Sequence, residues 1–163
     1  MKSELENKLY KIDPVFFEQA INCRNGIEDA FRCECGDGWF EPLCAFAEKV
    51  RVLNDCLKQY GAKIVCEQLK EKFGELTVYH CMVFDWVKSA DWRYEIKRIY
   101  DIFEDVLEST RKECWSVCEI CGVHDDYRGG NLITTKGRIR RICKDCAYNK
   151  KYMWEHKCGG QND

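Results

Sequence analysis

Proline is nearly missing from this chain: two residues in 163, alongside eleven glycines, too few of either for a linker-rich or fibrous protein. Histidine is scarce too, at three, and none forms a recognisable pair with a nucleophile. No phosphate loop, dinucleotide fingerprint or elbow serine occurs, so the usual signatures of nucleotide-dependent and serine-hydrolase chemistry are absent. No stretch approaches the roughly 20 consecutive apolar residues of a membrane span. The opening MKSELENKLYKIDP carries charges throughout and no apolar run, so no secretory signal is expected in it. Neither sign of charge dominates: the formal net charge is −2, which excludes the excess of a disordered chain and the basicity of a DNA coat. The length suits one compact body, or one body with a small appendage.

Cysteine is what the chain has in excess, at thirteen residues. An oxidising compartment with disulfides or a reducing one with metal and free thiols can produce such a count. With no secretory signal expected and an odd number of thiols, a cytoplasmic protein with reduced or metal-bound cysteines is the expectation.

The fold class expected is α+β. Asp13 and Pro14 suit a helix start, running to Cys23. Arg24 to Gly38 reads as irregular. Apolar residues at Trp39, Leu43, Phe46, Val50, Leu53 and Leu57 follow one helix face, with Asp37 as a cap and Gly61 as the stop. A β-hairpin is expected next, Ala62 to Glu71 and Glu75 to Met82, turning at Phe73-Gly74, although Glu67 to Lys72 also suits a helix. Leu76, Val78 and His80 would share one face. A second long helix starts near Ser89 and continues through Trp92, Ile96, Ile99, Phe103, Val106 and Thr110. Two long amphipathic helices and a hairpin can enclose one core, giving an expected α+β domain over residues 1–113.

Residues 114–163 differ: they carry net charge +3 against −5 for the first 113. Cys118-Glu119-Ile120-Cys121 and Cys143-Lys144-Asp145-Cys146 are the strongest signal in the chain. Two thiolates separated by two residues reach one metal from a tight turn, and two such turns supply a tetrahedral site. A hairpin between the pairs (Asn131 to Thr135, Arg138 to Ile142) and a helix from Ala147 to His156 resemble a treble-clef or ribbon-like zinc finger. Four thiolates leave no open position for water or substrate, so Cys118, Cys121, Cys143 and Cys146 are expected to hold a structural Zn2+ ion. Cys23, Cys33 and Cys35 are candidates for part of a second metal site. Cys44, Cys56, Cys66 and Cys81 are expected to be small hydrophobes, and Cys114, His124 and Cys158 to be non-ligating.

Basic residues gather around the finger: Arg138, Arg140, Arg141 and Lys144 above all, with Tyr127, Tyr148, Tyr152 and Trp154 interleaved. That combination suits phosphates and stacked bases, and equally a solvated face on a finger whose aromatics cover its small core. Further upstream, Asp37, Trp39, Lys70, Lys72 and Tyr79 permit a ligand site: a carboxylate on a flexible loop, a ring to stack, two cations for phosphate and a phenol to donate. The alternative is that Asp37 caps, Trp39 anchors the core and the lysines are solvated.

The order Gly36-Asp37-Gly38-Trp39-Phe40, then Lys70-Glu71-Lys72-Phe73-Gly74-Glu75-Leu76 ending at Tyr79, then CEICG and ICKDCA, resembles a family of small bacteriophage and prophage proteins. These combine a GDGW box, a KEKFG box and a C-terminal four-cysteine finger. The likeness covers roughly residues 33–147, with Thr77 standing where many relatives carry arginine. It implies an accessory protein working inside a bacterial cell against host defence, by blocking an immune effector or sequestering a nucleotide-like signal. A non-catalytic, zinc-stabilised binding protein of this kind is therefore expected. The runner-up is a nucleic-acid-binding regulator using the finger, and a nucleotide hydrolase comes third.

Overall fold

A computed structural model of the chain describes residues 1–23, 33–85, 92–125, 132–135 and 139–149. The steps of four and three from Trp39 onward produce α3, Phe40–Lys58, which buries Leu43, Phe46, Val50 and Leu57 on one face. Gly61, at φ 66°, turns the chain out of it. The second such pattern forms α4, Arg93–Trp115, burying Ile96, Phe103, Leu107, Thr110 and Cys114. The expected start at Ser89 lies outside the described residues. Phe46 and Phe103 meet with ring centroids 6.0 Å apart, and Phe16 touches both.

The hairpin is longer than its alternation predicted. Strand β2, Ala62–Lys72, pairs antiparallel with β3, Glu75–Phe84, from Lys72 opposite Glu75 to Ala62 opposite Phe84. A register shift between Cys66 and Gln68 leaves Glu67 unpaired, which is why the alternation of β2 is broken and also admits a helical reading. Cys33–Glu34 forms a short strand β1, parallel to β2 with Cys33 opposite Leu69 and Glu34 opposite Lys70. The expectation of irregular chain there is corrected at these two residues.

The N-terminus departs most from expectation. Helix α1 spans Ser3–Ile12 and buries Glu6, Leu9 and Tyr10. Glu6 accepts from the Tyr10 hydroxyl and from the Cys33 amide, both at 2.7 Å, which ties this helix to β1. Asp13 does accept from the amides of Val15 and Phe16, but a turn follows and the next helix, α2, covers only Glu18–Cys23. Asn54 of α3 donates to Asp13 and to the Ile64 carbonyl and accepts from the Ile64 amide, joining α3, β2 and the connection after α1 through one buried amide.

Helix α4 runs through residues 113 and 114 without interruption, and Cys114 and Val117 belong to the main buried cluster. A second buried cluster begins at Cys118. It contains a two-stranded sheet of β4, Leu132–Thr134, and β5, Arg141–Cys143, and a short helix α5, Lys144–Tyr148. The hairpin strands sit slightly off the expected bounds. Helix α5 opens at the second cysteine pair rather than after it, and residues 150–163 lie outside the described part. Among the described residues no helix is long and apolar enough to cross a membrane.

Candidate metal centre

Two local devices bring four sulfurs together. In the first, the chain leaves α4 and turns at Cys118–Gly122: the Cys118 amide donates to the Val123 carbonyl, and the Gly122 amide to the Cys118 carbonyl, both at 2.9 Å. Gly122 takes a φ of 76° to close that turn, a conformation in which a side chain is strained. In the second, Cys143 ends β5 and caps α5, its sulfur accepting from the Cys146 amide at 3.4 Å.

The sulfurs of Cys118, Cys121, Cys143 and Cys146 all lie within 4.8 Å of one another. A tetrahedral metal bound at ~2.3 Å needs sulfurs about 3.8 Å apart, and the Cys121–Cys143 pair is separated by 3.6 Å. The cluster can therefore hold one metal ion. Burial pushes the Cys118 thiol up, but hydrogen bonds from the backbone of Cys121, Cys143 and Ile120 outweigh it and hold the group below the usual thiol value. Burial pushes Cys121 up to about 11, and raises Cys146 as well with help from the Cys121 and Cys143 side chains. One thiolate-stabilising position among crowded thiols is the electrostatic pattern that a bound cation resolves, since coordination deprotonates them all.

The surroundings of this centre are what the sequence did not disclose. The GDGW loop packs directly on the knuckle: the Gly38 amide donates to the Glu119 carbonyl at 2.8 Å, and the Trp39 indole donates to the Val117 carbonyl at 3.2 Å. A Cβ at Gly36 would stand 2.1 Å from the Glu119 carbonyl oxygen, and one at Gly38 the same distance from that of Cys118. Both glycines are thus required by close approach of two backbones. No signal within the loop names a partner some eighty residues further along the chain.

The five residues expected to form a ligand site are not brought together. Trp39 is 0% exposed, so its ring offers no face to a ligand, and the stacking role is corrected to that of a buried anchor. Asp37 does not cap α3. It opens a short 3-10 turn, Asp37–Trp39, and accepts from the Lys2 amide while pairing with the Lys2 ammonium at 3.3 Å. The N-terminal ammonium donates to the carbonyls of Cys33 and Cys35 beside it. The polar cleft that Asp37 lines, about 470 Å³, includes Glu34, Glu119 and Arg140 but not Trp39, Lys70, Lys72 or Tyr79. Those last three lie on the hairpin.

Two of the cations expected to contact nucleic acid also have internal partners. Arg140, with little side-chain exposure, stands 3.9 Å from the buried Glu119 carboxylate. Arg141 pairs with Asp125 at 3.3 Å, donates to the Trp115 carbonyl and lies over the Trp115 ring. Lys144 is exposed, and Arg138 lies outside the described residues, as do Tyr127, Tyr152 and Trp154.

The remaining cysteines separate by environment. Cys33 and Cys35 are buried and belong, among the described residues, to no group of three or more close metal-binding donors. The side chain of Cys23 and all of Cys158 lie outside the described part. Cys66 and Cys114 are fully buried, and burial raises both thiols. Cys56 is exposed, which corrects its assignment as a core residue. His124 hydrogen-bonds Ser116 at 3.0 Å.

The chain is a mixed α+β protein with a small sheet, helices and a four-cysteine cluster able to bind metal. No family model, curated protein or solved structure matches it.

Proposed function

We propose that this chain is a non-catalytic binding protein stabilised by one structural zinc ion. Cys118, Cys121, Cys143 and Cys146 are the ligands, in a treble-clef-like finger made of the knuckle, the β4–β5 hairpin and α5. The observation that carries the reading is the donor set: four sulfurs converge on one point, each from a turn built by backbone hydrogen bonds. Zinc has no geometric preference of its own and accepts this tetrahedral all-sulfur set readily. A complete thiolate shell leaves no position from which a metal-bound water can attack. Activity then belongs to recognition at the surface, as an accessory protein of bacteriophage type acting in host counter-defence. Its partner is a host immune effector or a nucleotide-like signal, the role implied by the GDGW, KEKFG and four-cysteine order.

Elemental analysis of folded protein is the first test, with one zinc per chain expected. Recovery of partners from host lysate, with mass spectrometry of both proteins and small molecules, is the second. Active protein free of zinc overturns the structural part of the reading. Release of a chemically altered nucleotide overturns the non-catalytic part.

A further inference from the structure

The tip of the β2–β3 hairpin carries an aromatic ring that, among the described residues, neither packing nor turn chemistry explains. Phe73 and Gly74 are the two central residues of a turn closed by the Lys72–Glu75 pair, and both have positive φ, 57° and 85°. Turns of this kind favour Asn or Asp followed by Gly, because a bulky side chain at positive φ crowds its own backbone. Phe73 bears that strain and yet is 65% exposed as a residue and belongs to neither buried cluster, so the core gains nothing from it. Strain held at an exposed site with no packing return points to recognition.

The neighbours of Phe73 repeat one motif. The Lys72 ammonium lies 5.6 Å from the Phe73 ring centroid. The Lys70 ammonium lies 4.9 Å from the Tyr79 ring, which is 42% exposed. Strand register pairs Lys70 with Thr77 and Gln68 with Tyr79. Alternation therefore sets Lys70, Lys72 and Tyr79, together with Gln68, to which the Lys70 ammonium donates at 2.8 Å, Thr77 and Glu75, on the face opposite Leu76 and Val78.

We propose that this face binds single-stranded nucleic acid, Phe73 and Tyr79 serving as stacking platforms and Lys70 and Lys72 meeting phosphates. Exposed rings accept any base by its π-face, and cations placed among them complement the backbone charge between bases. Phe73 and Tyr79 are exposed on this face, whereas a single nucleotide is held in a concave site. A strand lays successive bases on successive rings, and a duplex has no free base faces to offer. This inference rests on the reading of the chain as a non-catalytic binder and narrows its nucleotide-like ligand to a polymer.

Fluorescence anisotropy with a labelled oligo(dT), on zinc-loaded protein, tests it. Saturable binding is expected, with a log–log salt slope of about −1.4 if both lysines contact phosphates. Phe73→Asn suits the turn better than the native residue, so its thermal midpoint stays level or rises, while affinity falls at least ~5-fold. Lys70→Gln with Lys72→Gln flattens the salt slope. Duplex of the same sequence and free thymidine monophosphate fail to displace the strand. The proposal is overturned by no binding at low salt, by unchanged affinity in Phe73→Asn, or by displacement at equal nucleotide concentration. It also fails if Phe73→Asn instead abolishes capture of a host protein. Zinc content measured on every sample keeps these outcomes apart from the structural-zinc reading, which stands if metal is retained without binding.

Discussion

Cysteine does opposite work in the two halves of this molecule. In the main body Cys66 and Cys114 are small hydrophobes, buried among Leu9, Phe16, Phe46, Phe103 and Leu107, with thiols that burial drives up. At the C-terminal cluster Cys118 is just as buried but is held below the usual thiol value by three backbone amides. Burial alone makes a thiol inert, whereas burial beside oriented N–H groups makes it a ligand. The two regions differ in the same sense overall. The body closes around a large aromatic and aliphatic cluster. The second cluster consists, among the described residues, of Cys118, Leu132, Ile142, Cys143 and Ala147, and two of those five belong to the four-cysteine cluster. So small an apolar set cannot order a chain without help, and an ion held by the four-cysteine cluster would supply it.

The largest effect expected is therefore metal removal. Binding of structural zinc contributes about 10 kcal/mol in small finger domains, more than the whole stability of many proteins. Chelation, or Cys143→Ser, should abolish protection of β4, β5 and α5 amides from hydrogen exchange. Most helical circular dichroism from α3 and α4 should remain. Equal loss of protection in both regions would erase the distinction drawn between them.

How much of this could be seen beforehand follows from the range of each interaction. The four-cysteine cluster was legible because each pair is local, two residues apart on one turn. The hairpin and the helical faces of α3 and α4 were legible through short periods. Helix α1 was missed since only Glu6, Leu9 and Tyr10 are buried in it, and one of those is a carboxylate whose partner lies on β1. The role of GDGW was missed for the same reason: Gly36 and Gly38 are glycines because of Cys118 and Glu119, and no local rule connects them. Trp39 read as a possible ring for a ligand, and it proved to be the indole that joins the loop to Val117. Asp37 read as a cap, and its neighbour turned out to be Lys2, which is near only in the folded chain.

That junction is where the comparison can be broken most directly. Gly38→Ala places a methyl group 2.1 Å from the Cys118 carbonyl and 2.4 Å from the Gly122 amide, both backbone atoms fixed by the knuckle. A loss of about 3 kcal/mol is expected, with faster release of metal to a chromogenic chelator. If stability falls while metal release is unchanged, the loop and the metal turn are independent. Gly122→Ala offers a second measure, straining the knuckle at its positive φ while its nearest foreign contact stays at 3.2 Å.

Asn54 sharpens the same comparison from the body side, away from the four-cysteine cluster. Asn54→Ala removes both hydrogen bonds to the Ile64 backbone and one to Asp13, leaving buried polar groups unpaired at a cost of about 2 kcal/mol. The denaturant midpoint should fall while the rate of metal release stays at the native value. Asp13, already raised by burial and opposed by the Phe16 amide and Asn54, should rise further once its amide partner is gone.

His80 gives the smallest effect and isolates the body by pH. It packs edge-on to Phe103 and Tyr100, with Nε2 3.4 Å from Glu104 and, among the described residues, no hydrogen-bond partner for the buried Nδ1. Burial lowers its pKa from 6.5, Glu104 opposing, with Arg111 adding to the fall and Glu67 resisting it. A lowered histidine binds fewer protons folded than unfolded, so the fold loses stability as pH drops below 6.5 toward the folded value. Acid also protonates the metal thiolates, but that loss is common to wild type and variant. Urea midpoints at pH 7.5 and 5.5 should therefore fall more in wild type than in His80→Gln, by well under the ~2 kcal/mol expected for Asn54. Glu104→Gln removes the opposing carboxylate and should steepen the acid loss. Identical acid slopes in His80→Gln and wild type would show that His80 contributes nothing to the pH response of the body.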